Sequence, residues 1–316
     1  MENAGKKIIG VVVLAALLGL AVWYVGRNWA SFAELKFVNA WLIVLLVVFF
    51  AVNLFFTSMI NLELLKPLGV RIRQGESFGL SVVTGFYNLI TPFRGGMAAR
   101  AVYLKKKYDF AYVHFLATLS AVYVLVFMVS ASLGLISTWW IYHATGMFSL
   151  VIFLIFLVVF VGVMGIAFFS PKFPGARNRW VNRFVKVING WHLIKRNKRV
   201  IVVTLVVTLI QTLLSALTTM LSFRVFGWNV GFVECIFLSA ISGIGLLIAI
   251  TPGSLGISEA IMVFSAMTIG IDATQSLAVA ILARLVSVVV LFVLGPIYSY
   301  VLLRGENEKK VKKRVK

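Results

Sequence analysis

Long apolar stretches recur along this chain and limit its possible folds more than any other feature. Each is about 20 residues long, the length that an α-helix needs to cross a bilayer, and none alternates apolar and polar residues as a barrel strand does. The chain is 61% hydrophobic and 13% charged over 316 residues, so a water-soluble fold would leave much apolar surface exposed. The sequence therefore predicts an all-α, polytopic membrane helix bundle. The predicted spans are residues 8–26, 38–60, 110–135, 148–170, 200–223 and 274–303.

Two further apolar segments are interrupted by proline and glycine. The first, residues 78–104, contains TPFRGG, and the second, residues 232–269, contains ITPGSLGISEA. Proline cannot continue a helix, and broken backbone is tolerated at membrane depth only where it is buried in protein or lines an aqueous cavity. We therefore expect both breaks to belong to a site. The predicted break residues are Thr91, Pro92, Gly95, Gly96, Thr251, Pro252, Gly253, Ser254 and Gly256.

The two breaks also repeat one another. ITPFRGGMAAR begins at residue 90 and ITPGSLGISEA begins at residue 250, an offset of 160 residues. Paired Pro/Gly-interrupted segments in the two halves of a membrane protein point to a transporter site near the bilayer midplane. The sequence thus predicts one transmembrane domain over residues 1–316 with two inverted halves, at about 38–135 and 200–303.

The distribution of basic residues supports this inverted arrangement. The net charge is +20. If the N-terminus is inside and both broken segments are re-entrant hairpins, 24 of the 30 Lys and Arg residues lie on the inside, as the positive-inside rule requires. Only Arg27, Lys36 and Arg224 then lie outside. We expect a multi-pass protein of the cell membrane with both termini cytoplasmic.

The basic residues also indicate what the protein contacts. They lie between apolar runs, which favours anionic lipid head groups at the cytoplasmic face over nucleic acid. Residues 171–199 place aromatic and basic side chains on different faces of a helix. This connector is predicted to be an interfacial amphipathic helix, or a plain link that enforces topology. Residues 304–316 form a basic cytoplasmic tail.

Three arginines and one glutamate remain inside the predicted membrane region. Arg94 and Arg100 follow the first break, Glu259 follows the second, and Arg284 lies in the last span. Intramembrane charges mark substrate pathways or ion pairs. We expect Arg94 and Arg100 to bind a phosphate or carboxylate, with snorkelling as the alternative for Arg100. Glu259 is expected to be a coupling or gating site, or a structural ion pair with Arg284 or with an arginine of the first hairpin.

No pattern in the sequence predicts catalysis. The sequence has no nucleotide-binding loop, metal-ligand cluster or nucleophile triad. We therefore expect no enzyme activity, no metal and no cofactor.

At the two breaks the chain resembles a known family, the membrane region of lysylphosphatidylglycerol synthases and their stand-alone, flippase-like relatives. The family's first motif is matched by Pro92, Arg94, Gly96 and Arg100 in PFRGGMAAR, and its second by PGSLGISEA with Glu259; a later arginine matches Arg284. Many relatives have glycine at the positions of Phe93 and Ser254 and an acid at the position of Met97. The resemblance implies re-entrant hairpins and lipid movement between leaflets. It does not imply aminoacylation, because the soluble transferase domain of the full synthases is not in this sequence.

These observations lead to three functional hypotheses. The first is a flippase-like transporter of a membrane phospholipid or lipid-linked molecule. Its substrate site would consist of Arg94, Arg100 and the helix N-termini at the breaks, which hold an anionic head group, and of Glu259 and Arg284, which act as a gate or coupling pair. The second is a non-transporting membrane subunit of a lipid- or glycan-modifying complex with a soluble transferase partner. The third is an ion-coupled carrier of small solutes.

Overall fold

The computed structural model describes residues 36–169, 194–195, 197–248 and 251–314, together with Gly26. The predicted first span, residues 8–26, therefore lies outside the described residues except for Gly26. Most of the predicted amphipathic connector, residues 171–193 and Arg196, lies outside them as well.

The described residues form helices and no strands, which confirms the predicted all-α class. The α-helices are α1 Leu42–Leu65, α2 Gln74–Ile90, α3 Gly95–Tyr108, α4 Tyr112–Thr145, α5 Leu150–Phe169, α6 Lys198–Val225, α7 Phe232–Gly245, α8 Ile257–Met267 and α9 Ala273–Arg314. Within the described ranges, α1, α4, α5, α6 and α9 are long and apolar enough to cross a membrane. The chain is thus a multi-pass membrane protein.

Two helices extend further than the sequence predicted. The predicted span ended at residue 135, but α4 continues through the following segment, STWWIYHATG, to Thr145. No proline interrupts it, and the helix ends only where Gly146 adopts the left-handed conformation (φ 71°). Helix α9 likewise continues into the predicted tail as far as Arg314, because lysine, arginine and glutamate are strong helix formers.

Helices α1 and α6 form an antiparallel pair at the centre of the fold. At one end, the Val38 N–H donates to the Val225 carbonyl at 2.8 Å, just beyond the start of α1 and at the end of α6. In the middle, the Gln211 amide donates to Asn53 Oδ1 at 2.8 Å. At the other end, Leu64 shares an apolar cluster with Val200. The two ends of this pair therefore serve as reference points for the positions of the two hairpins.

Helices α2 and α3 form an antiparallel hairpin with the first break at its tip. A methyl group on Gly96 would overlap the Thr84 carbonyl oxygen, so the two helices touch through backbone near the tip. At the open end, Glu76 on α2 accepts hydrogen bonds from Tyr103 and Tyr108 on α3, at 2.9 and 2.7 Å. This open end lies where α1 finishes.

Helices α7 and α8 form a second hairpin with the other break at its tip. Gly245 lies against Ile261 near the tip, and Phe237 lies beside Thr268 towards the open end. The open end lies where α6 finishes, so the two hairpins open towards opposite ends of the α1–α6 pair. Helix α2 packs on α9 and α7 packs on α4. The tips of the two hairpins contact each other.

Candidate functional site

The two breaks have the same backbone conformation over four residues. Thr91 and Thr251 are extended and each is followed by proline. The next two residues are left-handed in both: Phe93 and Arg94 have φ values of 54° and 56°, and Gly253 and Ser254 have 57° and 55°. Left-handed backbone reverses the chain within a few residues, so one local rule forms both tips.

Glu259 and Arg284 form an ion pair beside the second tip. Arg284 Nε and Nη2 approach Glu259 Oε1 at 2.8 and 2.7 Å, and the two side chains are only 15% and 19% exposed. Arg284 also donates to the Gly253 carbonyl at 2.6 Å. Glu259 Oε2 accepts the Gly256 N–H at 2.8 Å and so caps the start of α8. This pair therefore fastens the tip and its helix to α9.

Arg94 and Arg100 do not join this pair. Arg94 donates to the Tyr123 hydroxyl at 2.8 Å, and its guanidinium lies 5.9 Å from that ring. Arg100 is 6% exposed, donates to Asn61 Oδ1 at 2.7 Å and lies 5.7 Å from the Phe115 ring. Glu259 thus faces Arg284 and not the arginines of the first hairpin, because α8 packs along α9 whereas α3 turns its arginines towards α1 and α4.

A cavity of ≈ 350 Å³ adjoins the ion pair, at the lower end of the ~300–1,000 Å³ range of small-molecule sites. Helices α1, α6, α7, α8 and α9 contribute to its wall. The apolar lining residues include Phe49, Phe50 and Met262. The polar lining residues are Asn53, Ser215, Thr218, Thr219, Ser222, Ser242, Ser258, Ser287, Glu259 and Arg284. The lining thus combines polar and apolar side chains, and its two formal charges neutralise each other.

Sequence reasoning missed most of this lining, although a signal was present. Ser215, Thr218 and Ser222 follow Gln211 on α6 at three- and four-residue steps, which places them on one helical face. A polar stripe on a helix that is otherwise apolar marks the face that avoids lipid. Arg94 and Arg100, which the sequence placed at the binding site, are not among the residues that line the cavity.

Comparison with known proteins identifies the family. A search of curated proteins finds no match to this chain. The family model of the lysylphosphatidylglycerol synthase TM region matches residues 7–295, which include both hairpins and every residue of the cavity. The chain therefore belongs to the lysylphosphatidylglycerol synthase TM region family.

Proposed function

We propose that this protein moves a phospholipid or lipid-linked molecule between the leaflets of the cell membrane. The observation that carries the proposal is the cavity of Ser, Thr and Asn side chains with the Glu259–Arg284 pair beside it. A head group needs polar partners to leave water, and an acyl chain needs an apolar surface. The cavity offers the first, and its wall of Phe49 and Phe50 offers the second.

Arg94 is the residue we propose to attract an anionic head group to the tips. It lies at the tip of the first hairpin, which touches the second, and it is partly exposed. Its hydrogen-bond partner among the described residues is the neutral Tyr123 hydroxyl, so its charge is available to a phosphate. Arg100 is buried and we assign it a supporting role through Asn61.

We also propose that the two halves are inverted repeats with re-entrant hairpins. The common conformation of the tips and the opposite openings of the hairpins support this reading. Five basic residues lie at the open end of the first hairpin, Arg71, Arg73 and Lys105–Lys107, and the positive-inside rule supports a cytoplasmic position for that end.

Thiol labelling tests this topology. In a Cys235→Ala background, cysteines at the exposed positions Arg71 and Lys106 should react with an impermeant reagent from the cytoplasmic side. A cysteine at Asp272 should react from the outside. Labelling of positions 71 and 106 from opposite sides would mean that α2 and α3 together cross the membrane.

A leaflet assay tests the transport proposal. The purified protein is reconstituted in liposomes that contain labelled anionic phospholipid, and the fraction that changes leaflet is followed over time. The wild type should move the lipid, and the Arg94→Ala/Glu259→Ala double variant should move it much more slowly while remaining folded. Equal rates for the two proteins would contradict the proposal.

A further inference from the structure

The polar face of α6 continues beyond the cavity. Thr204 and Thr208 precede Gln211 by seven and three residues, so they lie on the same helical face. We call this face the α6 stripe, which consists of Thr204, Thr208, Gln211, Ser215, Thr218 and Ser222. From residue 204 to residue 222 it covers about 27 Å at ~1.5 Å per residue, close to the ~30 Å thickness of the bilayer hydrocarbon.

Two hydroxyls of the stripe have no hydrogen-bond partner among the described residues. Thr204 and Thr208 are 1% and 2% exposed, and the Oγ1 atom of each is buried and unpaired. Elsewhere on α6, Thr212, Thr218 and Ser222 donate to the carbonyl four residues earlier. A buried hydroxyl without a partner is unfavourable, which suggests that these two find a partner in another state.

The end of α6 that carries these hydroxyls packs against α1 and α4. This end of α6 packs against Ile60 and Leu64 of α1, as the cluster shared with Val200 and Val207 shows. Asn61 lies on the same turn of α1 and accepts the hydrogen bond of Arg100, whose own Nε is buried and unpaired. The α6 stripe thus has an open half at the cavity and a closed, buried half beyond it.

We propose that the α6 stripe is the track along which the polar head group crosses the membrane, and that Thr204 and Thr208 contact it when the closed half opens. This inference rests on the proposed function and adds to it a path and two binding residues. In the closed half both hydroxyls are buried. In the open state they bond to the head group or to the water that accompanies it.

Isosteric substitution separates this role from a structural one. Thr204→Val/Thr208→Val removes two hydroxyls that stabilise nothing in the closed state, so the thermal unfolding temperature should stay equal or rise. The rate of leaflet exchange should fall, by about three- to tenfold for each hydrogen bond lost in the open state. Thr212→Val is the matched control, because Thr212 lies off the stripe and outside the cavity lining, and it should keep the wild-type rate. A wild-type rate in the double valine variant would overturn the inference, and so would a fall in rate that parallels a fall in unfolding temperature.

Thiol accessibility tests the path without relying on transport. In the Cys235→Ala background, Thr204→Cys and Thr208→Cys should react with a hydrophilic thiol reagent. Val202→Cys should not react, because the native side chain is 58% exposed and we expect it to contact lipid. If the cysteines at positions 204 and 208 do not react, the α6 stripe is not the path of the head group, even if the wild type moves lipid. Reaction at both positions with no lipid movement by the wild type would reject the proposed function and retain the aqueous path.

Discussion

Replacing Glu259 by glutamine should destabilise the protein by about 2–3 kcal/mol, because it leaves Arg284 without its counter-charge. The two side chains are 15% and 19% exposed. Hydrogen bonds to charged groups contribute about 1.5–3 kcal/mol each, and breaking a fully buried pair costs about 3–5 kcal/mol. The smaller value applies here because the pair borders a cavity and Arg284 keeps its bonds to Gly253 and Ser258. Glutamine can still accept the Gly256 N–H, so the cap of α8 should survive.

A double-mutant cycle measures this coupling directly. Unfolding free energies in detergent are compared for the wild type, Glu259→Gln, Arg284→Gln and the double variant, and the coupling should exceed about 1 kcal/mol. Asp109→Asn is the control, since its pair with Lys105 is 90% and 42% exposed and should contribute almost nothing. Two results would contradict a stabilising role for this ion pair. One is a free energy of unfolding of Glu259→Gln within about 0.5 kcal/mol of the wild type, and the other is a double variant whose loss of stability equals the sum of the two single losses.

Three further predictions concern the hairpins. Gly96→Ala should destabilise by about 1–3 kcal/mol, because the new methyl group meets the Thr84 backbone; an unchanged unfolding temperature would show that α2 and α3 do not touch there. Phe93→Gly and Ser254→Gly should each raise the unfolding temperature, because the left-handed conformation costs an L-residue about 1–2 kcal/mol. The Phe93 side chain is 48% exposed, so its removal should cost little packing. A fall in unfolding temperature in both variants would contradict the shared conformation of the tips. Glu76→Gln should increase amide hydrogen exchange at the open end of the first hairpin, because it removes the carboxylate that pairs with Lys107 at 3.0 Å. Unchanged exchange there would mean that this ion pair does not hold α2 and α3 together.

The fold was largely predictable because the signals were local. Span lengths, the two Thr-Pro breaks and the offset between them are read from the sequence without knowledge of packing. The end of α4 was not predicted, because the signal there was not one that stops a helix. Aromatic and basic residues are common at membrane interfaces, but they do not end a helix. Helix α4 ends only at Gly146.

The sequence predicted the Glu259–Arg284 contact of the candidate site but missed most of the cavity lining. Charges in a membrane segment must be paired or solvated, so the sequence could select Glu259 and Arg284. It could not assign Arg94 to Tyr123 or Arg100 to Asn61, because those partners are neutral and far away in the chain. The left-handed Phe93 was also beyond prediction, since the tip imposes that conformation on a residue type that rarely adopts it.

The most direct test of the account fills the cavity and measures lipid movement. Thr218→Trp places a large side chain into the cavity from α6, and Val206→Trp places the same side chain on the same helix at a position 49% exposed and outside the cavity lining. In liposomes with labelled phospholipid, we predict that Thr218→Trp abolishes leaflet exchange while Val206→Trp retains the wild-type rate. Undiminished exchange by a folded Thr218→Trp variant would contradict the claim that the head group passes through this cavity.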